Sequence, residues 1–342
     1  MNTNDTIGSR KADHIRINLE EDVSSGLSTG LERYRFIHDA LPELDLKNID
    51  LNQELLSKKI SSPILISSMT GGTPDAERIN HVLAIAAQEM GIAMGVGSQR
   101  VALEDPKTAR TFQVRGDAPD ILLFANIGAI QLNYGYGVSE CQRAVDMIEA
   151  DALILHFNPL QEAIQPEGDS NYSNLLLKIE SVCNKLSVPV IAKEVGWGFS
   201  QNTAVQLANA GVKIIDVAGA GGTSWSQVEM HRATNPSQAR IAATFIDWGI
   251  PTADAIINVR KASPDMIIFA SGGIRNGLEI AKCIALGASL GGMASPFLKA
   301  ANQSVEDTIQ VINEIQAEIM ITMFAAGAGN IDQLKRTSMV KT

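Results

Sequence analysis

Residues 208–225 read ANAGVKIIDVAGAGGTSW. The stretch leaves a helix, turns at Gly211, runs through an apolar strand and opens into a glycine-rich loop. A glycine just past a helix end takes the left-handed conformation that closes the helix and sends the chain back. The same punctuation recurs at Gly91 in QEMGIAMGV and at Gly287 in IALGASLGGM. Working outward from it, short apolar runs at 63–68, 92–96, 121–125, 152–156, 190–194, 213–217, 266–270 and 290–293 read as buried parallel strands. Amphipathic stretches separate them, one carrying Ile79, Val82, Leu83, Ala86 and Met90 on a single face. Ser200 is placed to cap a helix running to Asn209, and 308–324 reads as the last helix, with Ile312, Ile315, Ile319 and Met323 inward. Eight strands, each followed by a helix or long loop and with no Pro/Ser-rich linker, predict an α/β chain folded as one (β/α)₈ TIM barrel, a doubly wound open sheet being the alternative. Residues 1–60 lack the alternation and are expected to form an N-terminal cap, or substrate lid, on the barrel of 61–342, the whole of 1–342 being a single domain.

Composition bounds the function. A barrel needs about 250 residues, so the 342 present leave room for the cap and long loops. The chain is 45% hydrophobic and 19% charged, which supports a large core and excludes disorder. Its formal net charge of −10 argues against nucleic acid as a partner. The apolar runs are too short to span a bilayer, and MNTNDTIGSRKADH lacks the apolar stretch of a signal peptide, so a cytoplasmic protein is expected. Cys141, Cys183 and Cys283 are far apart with no CxxC pair, and read as buried structural thiols in helices. An anionic substrate would have to be met by basic residues gathered locally.

Barrel enzymes work at the C-terminal strand ends. Here those ends read SSMTGG (67–72), GVGSQR (95–100), ANIGA (125–129), HFNPLQE (156–162) with QPEGD (165–169), KEVGWG (193–198), AGAGGTSW (218–225), ASGGIR (270–275) and GMAS (292–295). The last two suit a phosphate, with Gly272, Gly273, Arg275, Ala294 and Ser295 as candidates, since glycine lets backbone N–H groups close on the oxygens. Lys193 should project into the mouth, where a cation stabilises negative charge on a ring; a salt bridge to Glu194 or Glu162 is the alternative. Thr70, Ser98, Asn126 and Thr223 offer neutral hydrogen bonds around a flat heteroaromatic cofactor. Arg10, Lys11 and His14 in RKADH form a basic cluster able to clamp a diphosphate, and are expected to gain partners only when one is present. Glu162, beside His156, Asn158 and Gln161, is a single carboxylate, enough for Mg²⁺ shared with substrate phosphates and water. His231 in VEMHR reads as helical and exposed, His38 and His81 as surface residues, and no pair of carboxylates flanks the presumed site.

Taken in order from residue 10 to 335, RKADH, SSMTGG, GVGSQR, HFNPLQE, QPEGD, KEVGWG, AGAGGTSW and SGGIR resemble the type 2, FMN-dependent isopentenyl-diphosphate isomerases. HFNPLQE–QPEGD and AGAGGTSW are the specific elements; the glycine-rich ones are shared with other FMN barrels. The resemblance implies a non-redox isomerisation in isoprenoid biosynthesis using reduced FMN and Mg²⁺, with NADPH as flavin reductant. It places FMN on Ser68, Met69, Thr70, Ser98, Asn126, Lys193, Thr223, Gly272, Gly273, Arg275, Ala294 and Ser295. It places the diphosphate substrate on Arg10, Lys11, His14, Ser98, Gln99, Arg100, His156, Asn158 and Gln161, and the metal on Glu162. Gln161, Lys193 and His156 are the catalytic candidates, and a homo-oligomer, tetramer or octamer, is implied. The rival on the same scaffold, an FMN-dependent 2-hydroxy-acid oxidase, needs a histidine base that the loops after strands 6 and 7 do not supply.

Overall fold

The computed structural model describes residues 13, 14, 16–18 and 20–342; Arg10 and Lys11 lie outside them. The apolar runs become strands β1 (Ile64–Ile66), β2 (Ala93–Gly95), β3 (Leu123–Gly128), β4 (Ala152–Phe157), β5 (Val190–Glu194), β6 (Ile214–Asp216), β7 (Ile267–Ala270) and β8 (Leu290–Met293). They form a closed barrel in which β8 pairs in parallel with β1, Gly291 opposite Ile64, so the open sheet is excluded.

Both faces of these strands are buried, which is why each reads as a continuous apolar run. One set of side chains, including Ile64, Ile66, Met94, Leu153 and Leu155, packs beneath the surrounding helices. The other, Leu65, Ala93, Phe124, Ile154, Ile191, Ile214, Phe269 and Leu290, fills the barrel. Phe124 and Phe269 stack inside it, with ring centroids 5.7 Å apart. Gly91, Gly211 and Gly287 do close their helices, at φ 62°, 90° and 112°. Ser200 caps Gln201–Asn209 by accepting from the N–H of Thr203. Cys141 and Cys283 are buried and Cys183 half-buried.

Residues before β1 serve both ends of the barrel. A hairpin, Gln53–Leu55 with Lys58–Ile60, plugs the N-terminal end: Leu55 and Ile60 join the interior cluster. Lys58 Nζ donates to the carbonyl of Ile121 at 3.1 Å and pairs with Asp151 at 2.7 Å, and Gln53 Nε2 donates to the carbonyl of Ser289 at 2.8 Å. These partners all precede strands, so 53–60 lies opposite the strand-end loops. The expectation of one cap over 1–60 thus divides in two, because the hairpin's apolar side chains need the barrel's dry end. At the other end, the N–H of Ser25 donates to the carbonyl of Gly222 and the N–H of Ser224 to that of Val23, both at 2.8 Å, laying the segment across the loop after β6. A three-residue strand, Tyr34–Phe36, then pairs antiparallel with Met339–Lys341.

The long helix is Val305–Ala325, with Ile312, Ile315, Ile319 and Met323 buried as expected. It is not the last: Ile331–Arg336 follows, a short six-residue helix without the periodic run that marks a longer one. No helix of the described residues is long and apolar enough to cross a membrane.

Candidate active site

The C-terminal strand ends carry a buried charge. In the sheet register Gly128 stands beside His156, His156 beside Lys193 and Lys193 beside Asp216. Register partners on parallel strands point to the same side, so polar groups of β4, β5 and β6 meet at one level of the mouth. Lys193, 8% exposed, donates from Nζ to the carbonyl of Glu194 at 3.0 Å and to Ser271 Oγ at 3.3 Å. Its Nζ lies 3.3 Å from Asp216 Oδ2 without the alignment of a hydrogen bond, while Ser271 Oγ donates to Asp216 Oδ1 at 2.6 Å. The counter-ion is therefore Asp216, neither Glu194 nor Glu162. Glu194 turns away: its Oε2 accepts from the N–H groups of Val195, Gly196 and Trp197 at 2.7, 2.9 and 2.7 Å. Burial nonetheless pushes its carboxyl up to about 7.

A second polar group occupies the end of β4 and the short helix Pro159–Ile164. His156 Nδ1 lies 2.8 Å from Asn126 Oδ1. Asn158 Nδ2 donates to Gln161 Oε1 at 3.1 Å and to Glu162 Oε1 at 2.9 Å, and Tyr172 donates to Asn158 Oδ1 at 3.4 Å. Glu162 Oε2 accepts from the N–H of Asp169 at 2.6 Å. Gln161 Nε2 donates to Glu229 Oε1 at 3.0 Å, and Gln165 Nε2 to the same oxygen at 2.6 Å. Burial alone would raise the Glu229 carboxyl, but hydrogen bonds from His14, Gln161 and Gln165 hold it below the ordinary carboxylate range.

This corrects three expectations. VEMHR is helical, within Trp225–Arg232, and His231 is exposed as expected, but Val228 and Glu229 are buried. Carboxylates do flank the site, because Glu162 and Glu229 bracket the Asn158–Gln161 pair. His14 has partners without a diphosphate: its Nε2 is 3.2 Å from Glu229 Oε1, and its ring meets Trp225 edge-on with centroids 5.1 Å apart.

Around the mouth, the structure gathers Ser68, Met69 and Thr70 after β1, Ser98 after β2, Asn126 on β3, Thr223 after β6, Gly272, Gly273 and Arg275 after β7, and Ala294 and Ser295 after β8. Arg100, paired with Glu104 and Asp169 at 2.8 and 3.0 Å, stands at its rim. Gln99 is not with them: fully buried, its amide donates to the carbonyl of Ala144 at 2.9 Å and accepts from the N–H of Asn126 at 2.9 Å. It ties β3 to the helix Val138–Ile148, its amide NH₂ engaged by the Ala144 carbonyl and Met147 Sδ.

The donor set fits FMN. Ser67 Oγ and Ser68 Oγ are buried hydroxyls without a hydrogen-bond partner among the described residues, a costly state that a polar ligand relieves. Gly272 and Gly273 hold φ of 100° and 73°. A Cβ on Gly272 would fall 2.1 Å from the carbonyl oxygen of Gly219, and one on Gly273 2.4 Å from Gly221, so glycine is demanded by the packing of the two loops. Glycines in such strand-end loops are what a phosphate site built on backbone N–H groups requires. For Mg²⁺ the set is thinner: among the described residues no three His, Cys, Asp or Glu side chains gather to hold a metal. One carboxylate, with substrate oxygens and water completing the shell, is the arrangement Glu162 suits.

The FMN-dependent dehydrogenase family model matches residues 158–341. An isopentenyl-diphosphate delta-isomerase from Nostoc sp. is 58% identical over 97% of this chain and 95% of its own. One from Rickettsia bellii is 56% identical over 96% of each. Among solved structures, a mandelate oxidase superposes with a TM-score of 0.68 at 18% identity, covering 96% of both chains, a likeness of fold alone. With relatives of that identity matched along nearly its whole length, the chain belongs to the isopentenyl-diphosphate delta-isomerase family, on an FMN-dependent barrel.

Proposed function

We propose that the strand-end site interconverts isopentenyl diphosphate and dimethylallyl diphosphate with reduced FMN. The observation that carries this reading is the 58% identity over 97% of the chain with an enzyme of that name. The mandelate oxidase likeness does not compete, because at 18% identity it speaks for the scaffold only.

The reaction adds a proton at one carbon and removes one from another, neither of them acidic. When bound in its reduced form, with NADPH as its reductant, FMN would supply acid and base at N5. Gly272, Gly273, Arg275, Ala294 and Ser295 would take its phosphate. Ser68, Met69, Thr70, Ser98, Asn126 and Thr223 would line its ring, with Lys193 stabilising negative charge there. In the buried mouth Lys193 already has Asp216 as its ion-pair partner, at 3.3 Å. Arg10, Lys11, His14 and Arg100 would hold the diphosphate, with Glu162 on the magnesium ion that neutralises it. His156, Asn158 and Gln161 would orient the alkene and, with the segment before β1, exclude water from it. The whole of 1–342 then acts as one functional unit, and the subunits assemble as a tetramer or octamer, which light scattering would read.

The decisive experiment is proton NMR of isopentenyl diphosphate with the protein, FMN, Mg²⁺ and NADPH, anaerobically in D₂O. Dimethylallyl diphosphate carrying deuterium is the expected product. Unchanged substrate beside demonstrably reduced flavin would overturn the reading.

A further inference from the structure

Gln161 orients an alkene or its diphosphate only if its amide points one way, and a terminal amide has no intrinsic direction. Oxygen and NH₂ are nearly the same size and exchange by a half-turn. Here the direction is imposed from behind. Glu229 is 4% exposed, and its Oε1 receives Gln161 Nε2 at 3.0 Å and Gln165 Nε2 at 2.6 Å. An acceptor-only carboxylate obliges both amides to present NH₂. Gln161 Oε1 is thereby turned to receive Asn158 Nδ2 at 3.1 Å, and Asn158 Oδ1 to receive the Tyr172 hydroxyl at 3.4 Å. One reversal would set a carbonyl oxygen against a carboxylate and break the link to Asn158, whose amide is held on its other side by Glu162 Oε1 at 2.9 Å.

The carboxylate is itself held by a residue outside the site. Arg232, last in its helix, donates from Nη1 to Glu229 Oε2 at 2.7 Å, and its other terminal nitrogen is ion-paired with Glu167. Side-chain exposure falls from 46% at Glu167 to 17% at Arg232 and 3% at Glu229, so the chain of charges runs from solvent to the buried amides. A guanidinium is always charged and only donates, which makes it the one link that no rotation or proton can invert. We propose that Arg232 is a positioning residue for the isomerisation: clamped on its outer side by Glu167, it fixes Glu229 and so sets the direction of the Gln161 amide. This rests on the reading of Gln161 as a residue that faces the substrate.

The test compares the wild-type holoenzyme with Arg232→Met, Arg232→Lys and Glu229→Gln, reading kcat per bound flavin, KM, FMN content and Tm. Glu229→Gln keeps the shape but offers an NH₂ of its own, freeing both glutamines to reverse. For Arg232→Met a fall in kcat of about 10- to 100-fold is expected, the worth of a buried hydrogen bond to a charged group, with KM and FMN content within about twofold. Arg232→Lys should recover most of that loss, and Glu229→Gln should share it. Unchanged kcat per bound flavin in either Arg232→Met or Glu229→Gln would overturn the proposal, as would a loss confined to Tm and FMN content. In these cases the wild type still isomerises, and the functional reading stands. A wild type that does not isomerise would bring down both.

Discussion

At the lower end of the barrel Leu55 and Ile60 meet Leu65, Ala93, Leu290 and the stacked Phe124 and Phe269. At the upper end the same strands terminate in Lys193, Asp216, Ser271 and the hydroxyls of Ser67 and Ser68, which have no hydrogen-bond partner among the described residues. The lower end removes apolar surface from water, at about 25 cal/mol per Å². The upper end spends part of that gain, because it buries a charge pair and leaves polar atoms unsatisfied. Stability and chemistry are thus separated along one set of strands, each only a few residues long. The separation makes perturbations of the two ends predictable in kind as well as size.

The largest effect is expected at Lys193. Lys193→Met should lower isomerisation by about 10²- to 10³-fold, as for other preorganised electrostatic groups. It should also destabilise the fold by about 3–5 kcal/mol, because Asp216 is left as an uncompensated charge. Adding Asp216→Asn should return most of the stability in urea titrations and none of the rate. Recovery of both would show that the ion pair is scaffold only. Next in size, Phe124→Ala at the dry end should cost about 3–5 kcal/mol of stability through the cavity it opens. Its kcat per folded, flavin-loaded molecule should be unchanged; a matching loss of kcat would erase the distinction between the ends.

Glu194 gives a smaller, pH-dependent effect. Its folded value of about 7 lies above the ordinary 4.5, so the native chain keeps a proton that the unfolded chain has released. The stabilisation is complete below the ordinary value and is lost as pH rises through the window up to about 7, an effect of about 1–3 kcal/mol. Glu194→Gln should flatten the urea-midpoint slope in that window, and an unaltered slope would assign it to other groups. The smallest effect is at Ser68. Ser68→Ala should leave the flavin-free protein as stable as before and weaken FMN by about tenfold, one hydrogen bond's worth. Isothermal titration reads both the affinity and its absence.

The dry end was largely legible in the sequence, since continuous apolar runs and post-helical glycines are local signals. The hairpin that seals it was not: its turn residues Leu56 and Ser57 take φ of 49° and 62° without the glycine or asparagine that marks such turns. At the wet end, motifs located the loops but not the pairings. Asp216 did carry a signal, a lone acid in the apolar run KIIDV, whose partner on the neighbouring strand emerges only from the register. Glu229 carried none, because its burial comes from helix Trp225–Arg232 docking on the helix Pro159–Ile164 and Gln165, a contact with no sequence periodicity. Gln99 misled for the same reason: its neighbours Ser98 and Arg100 open on the mouth, and only the three-dimensional path of the chain turns Gln99 inward.

The antiparallel pair of Tyr34–Phe36 with Met339–Lys341 bears on the order of assembly in time. Residues 23–26, which lie across the loop after β6, reach the barrel directly ahead of the earlier of these strands. Their neighbour on the later strand is synthesised only after all eight barrel strands. Contacts of such sequence separation form late. During translation the barrel's plugged end can settle while its mouth is still unguarded, and the cover is fastened by residues made after the barrel.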